Sequence, residues 1–219
     1  RFGQNRIKTL GISPDAFVQL ALQLAQYRLW KKFCTIGESV LMRKFLNGRT
    51  EVFQTISSAS QAFVMAMDLP DFPVSSKIEY FHRAARIHSG RISECMDGYG
   101  VEGHLSALLA VYQLRGMALG ITSPPALFRD VGWSTLTRAV FSTSTTRSVG
   151  VKIVGFGPVV DNGFGIRYGR EADRLVFCLT SRTDMAADLD RFSAILQQAL
   201  VDMAGLLDQQ EAYASVVGG

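Results

Sequence analysis

The sequence predicts an α/β domain: a layered fold with a mixed β-sheet covered by helices. Two observations predict it. Stretches rich in helix formers, with apolar residues at three- and four-residue spacing, fill the first part of the chain and return at its end. Between them, from Ala139 onward, lie short β-branched and aromatic runs separated by glycine turns.

The elements follow in order. Ser13-Pro14-Asp15 supplies an N-cap hydroxyl, a proline suited to the first helical turn and a carboxylate at the positive dipole end. A helix is therefore expected over residues 14–32. Phe17, Val18, Leu20, Ala21, Leu24, Ala25 and Leu29 nearly surround it, so it should be mostly buried. Residues 38–45 read as a strand, and Gly48 permits a turn. Helices are expected over residues 58–67 and 76–97, separated by the proline-bearing loop 69–75, the second ended by Gly98 and Gly100. Leu105, Leu108, Leu109 and Tyr112 mark a fourth helix. Pro124-Pro125 breaks the chain before a short helix toward Asp130. Strands are expected over residues 139–145, 149–156, 165–168 and 175–180, with a hairpin turn at Asp161-Asn162-Gly163. Leu189, Phe192, Leu196, Leu200, Met203 and Leu207 form one apolar stripe on a last helix over residues 185–207. With no repeat and no linker, residues 1–210 are expected to form one domain and residues 211–219 a flexible tail.

Composition excludes several classes. The 219 residues carry a net charge of +4, and the basic residues are scattered, so no nucleic-acid footprint is read. Cys34, Cys95 and Cys178 are odd in number and far apart, which disfavours a disulfide framework or zinc site and fits a reducing, cytoplasmic compartment. No apolar run approaches the roughly 18 residues of a membrane span, and no signal-peptide pattern is read. His82 and His88 read as exposed on a polar helix face. Neither they nor His104 is assigned as a base or a metal ligand.

Ser142 and Ser144 stand at i and i+2 of a predicted strand, so both hydroxyls point to one face. That arrangement can present two hydroxyls to one site. Alone, a Ser-Thr-Ser string is weak. It is followed by Phe156-Gly157-Pro158-Val159-Val160 and Asn162-Gly163-Phe164-Gly165, and preceded by Ser13-Pro14-Asp15-Ala16-Phe17 and Gly48-Arg49-Thr50-Glu51. In this order and spacing the chain resembles the C-terminal half of the carnitine/choline O-acyltransferase family, a chloramphenicol-acetyltransferase-like half of a two-domain enzyme.

The resemblance implies roles. Ser144 matches the oxyanion donor, and Ser142, Thr50, Ser39 and Phe156 match contacts to the alcohol. Thr50 and Ser39 can equally serve ordinary turn or strand hydrogen bonding, and Phe156 core packing. The segment from Lys8 through Ser13 to Asp15 matches the coenzyme A site, though a lone lysine is otherwise a surface charge. The family's catalytic histidine lies in an N-terminal half absent from this chain, so that half is an expected partner. No cofactor is expected to be permanently bound. The donor substrate is a pantetheine thioester, on coenzyme A or on an acyl carrier protein.

Departures from the pattern carry further expectations. The arginine that holds the carnitine carboxylate is Gly103 here, and a substrate-contacting tyrosine is Gly37. Carnitine is therefore disfavoured and a neutral polyol favoured. Gln4 and Ser89 replace a lysine and an arginine near coenzyme A, and Thr145 replaces a glutamine near the pantetheine arm. That loss of charge favours a carrier-protein donor. Val154 stands where a bulky residue would restrict the acyl chain. Together these features resemble the acyltransferase release domain of a fungal polyketide synthase. The alternatives are a standalone coenzyme A-dependent carnitine/choline-type enzyme and a non-catalytic binding or scaffold domain that kept the fold.

Overall fold

The Ser13-Pro14-Asp15 start folds as its chemistry requires. Ser13 Oγ accepts the Ala16 N–H at 3.3 Å, and helix α2 (Pro14–Trp30) follows, closed by Lys31 in the left-handed region. It is preceded by a short helix, α1 (Gln4–Thr9), that the sequence reading did not anticipate. The structure is a computed structural model that describes residues 2–145, 150 and 154–217.

Strand β1 (Ile36–Leu41) and strand β2 (Thr50–Gln54) form an antiparallel pair. Only a turn was expected where β2 begins. Helices α3 (Ser58–Asp68), α4 (Val74–Met96) and α5 (Glu102–Arg115) come next, α3 opened by a reciprocal Ser57–Ser60 capping box. Two short helices, α6 (Ala126–Arg129) and α7 (Val131–Leu136), lead to strand β3 (Phe141–Ser144). Strands β4 (Phe164–Arg170) and β5 (Leu175–Thr180) complete the sheet. Helix α8 (Ala186–Val217) closes the described chain and continues past the expected end at Leu207 into the segment read as a tail.

The five strands lie in the order β2-β1-β3-β4-β5. The inner pairs β1–β3 and β3–β4 are parallel and the outer pairs antiparallel, so the sheet is mixed. The Asp161-Asn162-Gly163 turn does not make a hairpin. Gly163 N–H closes a turn on Val160 O, but both edges of β4 are taken by β3 and β5. Of the strand expected over residues 149–156, residues 154–156 are irregular, and residues 149 and 151–153 lie outside the described residues.

The core lies between the sheet and helices α2, α3, α4 and α8. Phe141 and Phe164 sit side by side in the parallel register and meet Phe192 of α8 at ring distances of 5.0 and 5.4 Å. Each such buried ring stabilises the fold by roughly 1.5–3 kcal/mol relative to exposure. Alternation fixes the rest: residues in phase with Phe141 and Phe164 turn toward the helices, and their neighbours turn to the opposite face. Among the described residues, no helix is long and apolar enough to cross a membrane.

Candidate active site

Strand β3 is buried at Phe141 and Thr143 and half-buried at Ser142 and Ser144. Both serines therefore face away from the helices. The register adds neighbours on that face. Ser142 pairs with Gly37 on one side and Gly165 on the other. Ser39 lies in phase with Gly37, and Thr50, at the exposed start of β2, lies in phase with Val52, the partner of Ser39. Ser144 pairs with Arg167, whose Nη1 donates to the Ser144 carbonyl at 3.3 Å. Sequence reasoning did not single out Arg167, because its relation to Ser144 exists only through strand pairing.

The segment bearing Phe156 lies on the same face. Thr180 Oγ1 donates to Phe156 O at 2.5 Å. A Cβ on Gly165 would stand 2.5 Å from Thr180 Oγ1 and would collide with Phe156 O. Glycine at 165 is thus what lets this backbone approach the partner of Ser142. Val154, two residues before Phe156, is 45% exposed.

At the C-terminal ends of β1 and β3 lies a cleft of about 440 Å³. It brings together Ser13, Asp15 and Thr145, expected on the thioester side, with Ser39, expected on the alcohol side. Ser89, Arg43 and Arg170 also line it. Lys8 does not: it is exposed in α1. Gly103 lies elsewhere, at the start of α5. There its N–H donates to Glu51 Oε1 at 2.8 Å, and a Cβ would stand 2.6 Å from Glu51 Oε2. The carboxylate thus occupies the space at this helix start.

The floor of the cleft is ionisable. His88 is not exposed, as its polarity suggested, but 3% accessible, because its phase with Phe81, Ala84 and Ala85 turns it inward. Its Nε2 stands 3.3 Å from Glu38 Oε2 and 3.5 Å from Asp15 Oδ2. Asp15 Oδ1 accepts Arg170 Nη1 at 2.5 Å and Tyr168 OH at 3.0 Å. Tyr168 OH is also 3.2 Å from Glu38 Oε1 and accepts Gln19 Nε2 at 3.1 Å. Gln19 Nε2 reaches Thr143 Oγ1 at 2.9 Å, which donates to Gly37 O at 2.9 Å.

Burial opposes charge on each of these groups. It pushes the Glu38 carboxyl up to about 7, and the Asp15 charge adds to the rise. Burial also opposes protonation of His88, yet its hydrogen bonds to Asp15 and Glu38 carry it up to about 9. Asp15 is buried too, but His88, Glu38 and Arg170 bring it down to about 2. Asp15, Glu38 and His88 are close enough to present one oxygen or nitrogen each to a common point. With Arg170 and a protonated His88 the cluster already balances its carboxylates.

Residues 1–198 match the Choline/Carnitine o-acyltransferase family model. The chain belongs to this family. It is 34% identical over 215 residues to a putative mitochondrial carnitine O-acetyltransferase of Saccharomyces cerevisiae, covering 98% of this chain and 31% of that protein. It is 34% identical over 208 residues to the carnitine O-acetyltransferase of Columba livia, covering 94% and 32%. It is 30% identical over 214 residues to the choline O-acetyltransferase of Rattus norvegicus, covering 96% and 32%. The chain therefore spans about a third of the length of these relatives. As a member of the choline/carnitine O-acyltransferase family, it carries its Ser-Thr-Ser strand and its Ser13–Asp15 segment within one α/β layer.

Proposed function

We propose that this chain is the C-terminal half of an O-acyltransferase that moves an acyl group from a pantetheine thioester to an alcohol. The observation that carries the reading is the common sheet face of Ser39, Ser142 and Ser144, beside a cleft that also holds Ser13, Asp15 and Thr145. A base from an N-terminal half removes the alcohol proton, and the alcohol oxygen attacks the thioester carbonyl carbon. Ser144 Oγ–H donates to the oxyanion that forms. Collapse breaks the C–S bond, and the departing thiolate recovers the proton from the base. Ser142, Ser39 and Thr50 hold the alcohol, Phe156 walls its pocket, and the segment from Lys8 to Asp15, with Thr145, receives the pantetheine arm.

The acceptor favoured is a neutral polyol, and the reaction favoured is release of a polyketide from an acyl carrier protein. Gly103 in place of an arginine supports this, because no guanidinium stands there to pair with an acceptor carboxylate. The small Val154 supports a chain longer than acetyl. A second reading, a coenzyme A-dependent carnitine/choline-type enzyme, is favoured by the names of the relatives.

The test is made in the complete protein, with octanoyl-coenzyme A and an octanoyl carrier protein as donors and glycerol, choline and carnitine as acceptors. Preference for the carrier thioester and glycerol supports polyketide release, and preference for octanoyl-coenzyme A with carnitine or choline overturns it. Ser144→Ala should lower kcat by about 10²–10³-fold. Unchanged turnover in that variant would overturn the oxyanion role of Ser144, and a complete protein that turns over none of these substrates would favour a scaffold without chemistry.

A further inference from the structure

Beneath the serine face runs a continuous buried polar chain that none of the proposed chemical steps uses. It begins at Asp15 in the segment expected to meet the thioester and passes through His88 of α4 and Tyr168 of β4 to Glu38, the residue before Ser39. A second branch runs from Tyr168 through Gln19 to Thr143, between Ser142 and Ser144, and on to the carbonyl of Gly37. Every residue that gives a side chain to it is at most 6% exposed. Four elements, α2, α4, β1 and β4, supply its charged and phenolic members, and β3 adds Thr143. Such a network fixes relative positions, because its bonds are directional and a partner lost in the interior is costly to replace.

We infer that His88 and Tyr168 are positioning residues that lock the thioester-side segment at Asp15 and the alcohol-side strand at Ser39 into one geometry. The inference rests on the acyl-transfer reading above. Neither residue lines the cleft. His88 ties α4 to both carboxylates, and Tyr168 joins the two carboxylates to the strand that carries Ser142 and Ser144. Loosening either bond moves the two substrate sites together, since the same side chains hold both. A role confined to stability would behave differently: it would lower the active fraction and leave both KM values in place.

The experiment uses the complete protein with octanoyl-coenzyme A and octanoyl carrier protein as donors and glycerol, choline and carnitine as acceptors. His88→Gln and the more conservative Tyr168→Phe are compared with wild type. The expected result is a rise in KM for both donor and acceptor, with kcat lowered by up to about 100-fold, the scale of a misplacement near 1 Å. If His88→Gln does not fold, Tyr168→Phe carries the test. Variants whose two KM values equal those of wild type overturn the inference while leaving the acyl-transfer reading intact. A wild type that turns over none of these probes refutes that reading, and the inference falls with it.

Discussion

Replacing Thr143 with valine removes one hydroxyl and keeps the shape of the side chain. Thr143 is 1% exposed, donates to Gly37 O at 2.9 Å and accepts Gln19 Nε2 at 2.9 Å. Each orphaned buried group costs about 1–3 kcal/mol. Gln19 keeps its bond to Tyr168 OH, which softens one of the two losses. The expected destabilisation is therefore about 2–4 kcal/mol. Ser142→Ala and Ser144→Ala, on the opposite face, should each lie within about 0.5 kcal/mol of wild type. Urea midpoints of the complete protein, with unchanged m-values, read the difference. Octanoyl-thioester turnover on the same samples should show the reverse order, with Ser144→Ala the most damaging. A neutral Thr143→Val beside a strongly destabilised Ser144→Ala would mean the strand sits one residue out of register, with its serines turned inward.

Three further outcomes are expected. Gly165→Ala should displace the backbone at Phe156 and cost about 1–3 kcal/mol, the range for overpacking, because its Cβ has no room beside Thr180 Oγ1. A crystal structure of this variant with an unmoved segment would refute that packing. Glu51→Ala should destabilise the start of α5 by about 1 kcal/mol, read as faster amide exchange at Gly103, whose N–H it accepts; unchanged exchange there would count against it. The His88 value is raised from 6.5 to about 9, so its contribution is full below pH 6.5 and is lost as pH rises through 9. Across that window the complete protein should lose up to about 3 kcal/mol, and His88→Gln should flatten the slope. Asp15 and Glu38 face the same imidazole, and Tyr168 and Arg170 bond to those carboxylates. Glu38 adds a fall in stability as pH rises from 4.5 through about 7, and Asp15 a loss only as pH drops from 3.8 toward 2. Equal pH dependence in wild type and variant would remove His88 as the source.

Much of this architecture was legible in local chemistry. Ser13-Pro14-Asp15 announced α2 because capping, φ restriction and dipole charge act within a few residues. The Leu189-to-Leu207 stripe announced α8, and the β-branched run announced β5. Strand β2 escaped because Thr50–Gln54 is a short edge segment whose pairing with β1, not its own pattern, makes it a strand. The turn at Asn162 was real, but nothing within it reveals that both edges of β4 are already occupied. On the candidate site, the face shared by Ser142 and Ser144 follows from a period of two and was visible. The burial of His88 could have been found from its spacing to Phe81, Ala84 and Ala85. Its meeting with Asp15 and Glu38 could not, since it joins three elements far apart in the chain.

Helix α2 carries Gln19, Gln23 and Gln26, all fully buried, amid its apolar residues. Gln19 holds Thr143 and Tyr168, Gln23 reaches the carbonyl and hydroxyl of Thr55, and Gln26 accepts the Cys34 N–H. A cylinder gripped only by oily contacts can rotate or slip by a notch at modest cost. One keyed at three points along its length cannot, so leucines here should tolerate exchange for isoleucine or methionine far better than the amides tolerate any replacement. Random mutagenesis of this helix would then leave a sparse pattern of intolerant sites, spaced by four and three, inside an otherwise permissive segment.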